Sequence, residues 1–247
     1  MRFGPLIAHR GASAHAPENT IAAFRAAAAS GVGWIECDAT ITRDRAVVLF
    51  HDDTLERTSD GMGLLVEKNW SDVSALDAGS WFSSAFRGER IPLLREAVDV
   101  WGQLGLRANI EIKVAPGLDA ETARCVMAEL AAHWPGDREP PLISSFSREA
   151  LGVARDMQRA MPRGLLLEDH PGDWRDLARS LEVVSIHCWE ETLTEEWARA
   201  IKDDGYGLAV YTLNDAAKAR EMFRRGADAI FTDRPEEMAA SFPQTRI

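Results

Sequence analysis

Short apolar runs alternate with longer amphipathic stretches along most of the chain. The runs at 5–9 (PLIAH), 34–41 (WIECDATI), 46–51 (AVVLFH), 108–114 (ANIEIKV), 141–146 (PLISSF), 163–168 (RGLLLE), 183–189 (VVSIHCW), 207–213 (GLAVYTL) and 228–233 (DAIFTD) predict strands. They are a few residues long, rich in β-branched and apolar side chains, and bounded by polar or turn-forming positions. Between them, apolar residues three and four apart predict helices at 19–31, 91–105, 119–134, 147–161, 174–181, 194–205 and 215–226. Boundary chemistry agrees: Gly31 and Gly105 fall where helices end, Asp119 and Glu121 stand in a first turn, and Ser147 can cap a helix start.

Taking 46–51 as an arm added to the strand at 34–41 leaves eight strands that alternate with helices, which predicts βαβ units and a parallel sheet. At 247 residues the natural closure is an α/β fold of the TIM (β/α)8 barrel type, spanning 1–247 as one domain. A doubly wound open sheet is the alternative, but its G-x-G-x-x-G phosphate loop after the first strand is absent. Residues 52–90 break the rhythm with turn residues and aromatics, and we read them as an insertion on the rim that carries the site.

Composition narrows the function. The chain is 46% hydrophobic and 27% charged, which is ordinary for a globular protein. Its net charge of −11 argues against a nucleic-acid partner or docking on an anionic membrane. An anionic ligand would need local positive charge, which a divalent cation held by carboxylates would supply. Cys37, Cys125 and Cys188 are scattered, with neither metal-ligand spacing nor a disulfide framework. With no secretory leader evident and no apolar run long enough for a membrane span, the expectation is a cytoplasmic protein without membrane insertion, monomeric or homodimeric.

Chemistry concentrates at the predicted strand ends, where barrels of this type carry their sites. The first strand ends at His9-Arg10, the second carries Glu36 and Asp38, the arm ends at His51-Asp52, and the next strand carries Glu111 and Lys113. Residues two apart share a strand face, so Glu36 and Asp38 point one way and Cys37 the other. Likewise Asn109, Glu111 and Lys113 oppose the apolar Ile110 and Ile112. Three carboxylates from two strands suit a hard cation, Mg²⁺ or Ca²⁺ with Mn²⁺ a further candidate, or else pair with Arg10 and Lys113 as buried ion pairs. Two histidines on different strands suit a general acid and a general base. Arg10 and Lys113 offer a fork and a point charge to a phosphate.

These residues resemble the glycerophosphodiester phosphodiesterase family, in particular its compact cytoplasmic bacterial enzymes. The likeness runs through HRG (9–11), APENT (16–20), ECD (36–38), HDD (51–53), LERTSDG (55–61), NIEIK (109–113), SSF (144–146), VYTLN (210–214) and GADAIFTDRP (226–235). It implies a TIM barrel with a small insertion, one divalent metal, and hydrolysis of a small glycerophosphodiester to sn-glycerol 3-phosphate and an alcohol. It implies His9 and His51 as the acid–base pair, and Glu36, Asp38 and Glu111 as metal ligands. Arg10 and Lys113 become phosphodiester ligands, while Glu18 and Asn19 brace the first loop. Tyr211 stands where many relatives carry tryptophan and is expected to cover the substrate. His187, at a strand end, is expected to face the rim and contact substrate, and Trp189 is a candidate for the pocket wall. His15, His133 and His170 are expected to lie outside the chemistry. The nucleophile is water, or the glycerol 2-hydroxyl by way of a cyclic 1,2-phosphate. A membrane-acting phospholipase-like relative fits the acidic charge poorly. A non-catalytic binding barrel fits poorly with all five acid–base and metal positions present, and an amidohydrolase-type barrel would need an H-x-H pair on the first strand.

Overall fold

The computed structural model describes residues 3–242, so both ends of the 1–247 span fall outside it. In chain order the elements are β1 (Leu6–Ala8), α1 (Ile21–Ala29), β2 (Trp34–Ile41), β3 (Val47–Leu49), α2 (Trp70–Val73), α3 (Leu94–Leu104), β4 (Arg107–Ile112), α4 (Asp119–His133), β5 (Leu142–Ser145), α5 (Arg148–Met157), β6 (Arg163–Leu167), α6 (Trp174–Ser180), β7 (Ser185–Trp189), α7 (Glu195–Asp203), β8 (Gly207–Tyr211), α8 (Ala216–Arg224), β9 (Ala229–Thr232) and α9 (Pro235–Ser241). The sheet runs β1-β9-β8-β7-β6-β5-β4-β2-β3, and β1 also pairs with β2, which closes a parallel eight-stranded TIM barrel. β3 lies outside the ring, antiparallel to the end of β2.

Local chemistry places the helix ends. The Thr20 and Ser147 hydroxyls accept from the backbone N–H of Ala23 and Ala150, and Asp215 caps Ala217 and Lys218. Gly105 closes α3 in the left-handed region at φ 68°. The expected strands run one to a few residues long at their ends; β8 stops at Tyr211 and β7 starts at Ser185. The last helix, α9, lies beyond the expected set; Pro235 at its first turn and Glu236 and Glu237 behind it are ordinary start signals.

Alternation along the strands sorts the core into two layers. Leu6, Ala8, Ile35, Cys37, Ile110, Ile112 and Ile143 point outward into the main core under the helices. Ile7, Trp34, Leu142, Ala209, Ala229 and Phe231 point inward and fill the barrel's lower interior. That plug leaves the inward positions nearer the C-terminal strand ends free for polar groups. Val48 and Phe50 turn the outer side of β3 toward residues 52–90, where with Leu55, Leu65 and Val73 they form a small satellite cluster. Trp101 is buried edge-to-face on Phe24, Trp70 packs half-buried on the satellite cluster, and Trp81 is exposed.

Candidate active site

The loop after β1 has an unusual backbone. Arg10, Gly11 and Asn19 all take positive φ, at 54°, 80° and 58°. A Cβ on Gly11 would sit 2.7 Å from the backbone of Ala23 in α1, so the turn packs onto the helix at a distance only glycine permits. The turn points the Arg10 amide at Glu36, whose Oε2 accepts at 3.0 Å. Asn19 grips the next carboxylate twice: its amide donates to Asp38 Oδ2 at 2.8 Å, and its carbonyl oxygen accepts from the Asp38 N–H at 3.1 Å. Strain in the loop is thus held by contacts to the acidic residues themselves.

Glu36, Asp38 and Glu111 each offer an oxygen, and these atoms lie within 4.8 Å of one another. Parallel pairing of Asp38 with Glu111 across β2 and β4 puts them side by side. Burial, followed by the charges of Asp38 and Glu111, pushes the Glu36 carboxyl well above its usual range. Burial and then Asp38 push Glu111 up to about 7. Burial would raise Asp38 too, but Arg10, His51, Lys113 and Asn19 hold it below its usual value. An all-oxygen cluster in which Glu36 and Glu111 resist ionisation beside a charged Asp38 fits a hard divalent cation, which would remove the mutual repulsion. Arg10 and Lys113 also touch the cluster, Nε 3.2 Å from Asp38 and Nζ 3.5 Å from Glu111.

Each histidine of the expected pair is anchored through Nδ1 by an aspartate. His9 Nδ1 lies 2.7 Å from Asp233 Oδ1, and His51 Nδ1 lies 2.6 Å from Asp52 Oδ1. A carboxylate only accepts, so Nδ1 carries a proton in each ring. His9 Nε2 is 4.0 Å from Glu36, and His51 Nε2 accepts from Lys113 Nζ at 2.9 Å. Burial foremost, with Arg10 and Lys113 adding to it, lowers the His51 pKa against the pull of Asp38 and Asp52. Asp52 is held far down by Arg57, which also grips Glu18 with two nitrogens at 2.7 and 2.8 Å. Residue 57 of the insertion thereby ties the His51 arm to the first loop. Arg10 donates to Glu18 at 2.8 Å, so its guanidinium is shared among Glu18, Asp38 and whatever enters the site.

His9, Arg10, Glu36, His51, Glu111 and Lys113 line one side of a cavity of about 320 Å³. Phe146, Leu166, Glu168, Tyr211, Thr212 and Phe231 line the other, over Asn109 and Ser144. Tyr211 is therefore where the sequence expects it. Its ring stands edge-on to Phe146 and its hydroxyl donates to the Leu167 carbonyl at 3.1 Å. Burial and then Glu168 raise its pKa, which keeps it a donor.

His187 is not where it was expected. It is fully buried below the cavity, its Nε2 on Ser185 Oγ at 3.0 Å and its ring between Phe3 and Phe231, out of reach of a ligand. The strand runs two residues past His187 to Trp189, so the histidine sits one interior layer too deep. Trp189 is over a third exposed at the rim and does not line the cavity. His15 pairs with Glu237 on the surface, His133 lies near Glu129, and His170 rests on Trp197. Asp233, Asp52, Arg57, Phe146 and Glu168 were not assigned roles from sequence, although the stretches HDD, LERTSDG, SSF and GADAIFTDRP that carry most of them were visible.

The model of the glycerophosphoryl diester phosphodiesterase family matches residues 9–237. A glycerophosphodiester phosphodiesterase of Caldanaerobacter subterraneus is 32% identical over 94% of this chain and 95% of its own length. One from Bacillus subtilis is 30% identical over 93% of this chain and 83% of its own. Among solved structures, an Oleispira antarctica phosphodiesterase in complex with the product sn-glycerol-3-phosphate superposes with a TM-score of 0.93 at 36% identity, covering 96% of each chain. A site built on two anchored histidines and a buried carboxylate trio thus lies within a match that spans nearly the whole chain, which belongs to the glycerophosphodiester phosphodiesterase family.

Proposed function

We propose that this protein hydrolyses glycerophosphodiesters to sn-glycerol 3-phosphate and an alcohol by acid–base catalysis at His9 and His51, with one divalent cation, Mg²⁺, Ca²⁺ or Mn²⁺, held by Glu36, Asp38 and Glu111. The observation that carries the reading is that one cavity joins Glu36 and Glu111, clustered with the buried Asp38, to two histidines, each fixed through Nδ1 by its own aspartate. The cation would add positive charge where negative charge grows on the non-bridging oxygens.

Lys113 and Arg10 supply the charge that belongs to the chain itself. A phosphodiester oxygen that draws Lys113 away from His51 also frees the Nε2 lone pair, so substrate binding arms the histidine. Its lowered pKa keeps His51 neutral and suits it as the base that takes the proton of the nucleophile, water or the glycerol 2-hydroxyl. His9, with Asp233 behind it to stabilise the imidazolium form, then suits protonation of the departing alkoxide. The apolar wall of Leu166, Phe231, Phe146 and Tyr211 suits the carbon face of the substrate. No described helix is long and apolar enough to cross a membrane, and the three cysteines are free, in keeping with the cytoplasmic setting we propose.

The test is release of sn-glycerol 3-phosphate from glycerophosphocholine by purified protein, after EDTA and again with Mg²⁺, Ca²⁺ or Mn²⁺ restored. Release that EDTA abolishes and a metal restores is the expected result, and His9→Ala and His51→Ala should each lower turnover by about 10²–10⁴-fold. No release from any glycerophosphodiester with any of the metals overturns the activity; full turnover in EDTA overturns the metal, and near-normal turnover in either alanine variant overturns the acid–base pair.

A further inference from the structure

Glu168 is the pocket carboxylate that stands apart from the trio, and it does not match an anionic substrate. It follows β6, is exposed, and lines the cavity on the side away from the carboxylate trio. Other acidic groups around the site are engaged: Glu18 with Arg10 and Arg57, Asp52 with His51 and Arg57, Asp233 with His9, and Glu190 with Lys218. Among the described residues the Glu168 carboxylate has no cationic or hydrogen-bonding partner, while its backbone carbonyl is fixed by the Thr192 hydroxyl.

Aromatic rings line the cavity together with this carboxylate. Tyr211 is tied to the carbonyl of Leu167, the residue just before Glu168, and stands edge-to-face with Phe146 at 5.9 Å between ring centroids. Phe146 is 40% exposed and lines the cavity, so part of its ring is open to a ligand there. A carboxylate beside exposed π faces is the chemistry that recognises an ammonium or quaternary ammonium group. It is also poor chemistry for an anionic group, since an unpaired carboxylate at the mouth repels a phosphodiester unless the far end of that substrate is a cation.

We propose that Glu168 and Phe146 determine specificity for glycerophosphodiesters whose alcohol carries a positive charge, such as an amino or trimethylammonium alcohol. This rests on the hydrolytic reading above. The phosphate faces Arg10, Lys113 and the trio, the glycerol lies along the apolar wall at Leu166 and Phe231, and the cationic end rests between Phe146 and the Glu168 carboxylate.

The experiment compares glycerophosphocholine with the ester of 3,3-dimethylbutan-1-ol, which has the shape of choline and no charge, in the metal-loaded protein. The wild type should favour the choline ester in kcat/KM by about tenfold, within the range of an exposed cation–π contact reinforced by a carboxylate. In Glu168→Gln the ratio should collapse toward unity, the loss falling on the choline ester, and Phe146→Leu should narrow it. Equal handling of the two esters by the wild type overturns the proposal. So does an equal fall of both in Glu168→Gln, the signature of a carboxylate that binds glycerol hydroxyls, and so does an unchanged ratio. Failure of the hydrolytic reading shows separately, as no turnover of either ester.

Discussion

His9 Nδ1 donates to Asp233 Oδ1 at 2.7 Å, joining the end of the first barrel strand to the residue just after the last. Asp233 accepts more than this bond: Ser13 donates to the same oxygen at 2.9 Å and Asn214 to the other at 2.6 Å. Burial works against the charge, but these donors hold the Asp233 carboxyl well below the usual range. The seam that closes the barrel is therefore also what fixes the tautomer and tilt of one histidine. His51 gets the same service from its immediate neighbour, Asp52.

Asp233→Asn should test that dependence directly. The amide cannot accept from His9, Ser13 and Asn214 at once as the carboxylate does, and it leaves an imidazolium at His9 unsupported. We expect kcat/KM for glycerophosphocholine to fall by about 10²-fold or more, with metal titration unchanged. A variant with wild-type kcat and an unmoved pH–rate profile would show that Asp233 only closes the barrel.

The barrel was legible because its signals are local: nine apolar runs, capping residues, and strand alternation that separates Glu36 from Cys37 and Glu111 from Ile110. The trio was legible for the same reason, since two residues on one strand and one on its neighbour need only register to meet. What sequence hid were partners set by ring closure and by loops. Asp233 meets His9 only because β9 pairs with β1, and Arg57 meets Glu18 only because residues 52–90 fold back over the first loop. His187 was expected at the rim as a strand-end residue, although the run 183–189 already carries Cys188 and Trp189 beyond it, and those two residues decide between rim and interior. The positive φ at Arg10 left no trace in residue type, because arginine has no preference for that region.

Gly11→Ala should damage the site without touching a functional side chain. The added methyl would meet the Ala23 backbone at 2.7 Å in a conformation, φ 80°, that alanine avoids. Strain of both kinds should cost about 2–4 kcal/mol of stability. Relief by loop movement would also withdraw the Arg10 amide from Glu36, so metal affinity should drop with stability. Thermal melting with and without Ca²⁺ reads both, and an unchanged melting temperature would mean the turn is softer than its geometry implies.

Metal and protons should compete at the trio. Because Glu111 sits near 7 and Glu36 well above its usual value, the folded, metal-free site binds protons that the unfolded chain has released. Its contribution to stability is thus lost as pH rises from about 4.5 through 7, at up to about 1.4 kcal/mol per pH unit for each proton. A divalent ion replaces those protons, so the melting-temperature gap between metal-loaded and EDTA-treated protein should widen from pH 5 to pH 8. Calorimetry in buffers of different ionisation enthalpy should record proton release on metal binding near pH 6. Glu111→Gln should shrink both the gap and the release, whereas a gap independent of pH would remove these carboxylates from the ligand set.

His187 should set an opposite acid limit. Burial alone lowers its pKa to about 3, with its ring enclosed by Phe3, Phe231 and Ser185. The unfolded histidine titrates near 6.5, so below that pH the unfolded chain binds a proton that the folded protein refuses. Stability is accordingly lost as pH falls from about 6.5 toward 3, at up to about 1.4 kcal/mol per pH unit. His187→Gln keeps a group able to bond Ser185 and removes the titration. Its stability at neutral pH should drop modestly through imperfect packing against Gly164, where space is tight enough that even a Cβ would lie 2.6 Å from the imidazole. Between pH 6.5 and 4.5, however, its denaturant midpoint should fall less steeply than that of the wild type. Parallel curves for the two proteins would show that His187 becomes charged without leaving the barrel interior, and that the interior can hydrate it.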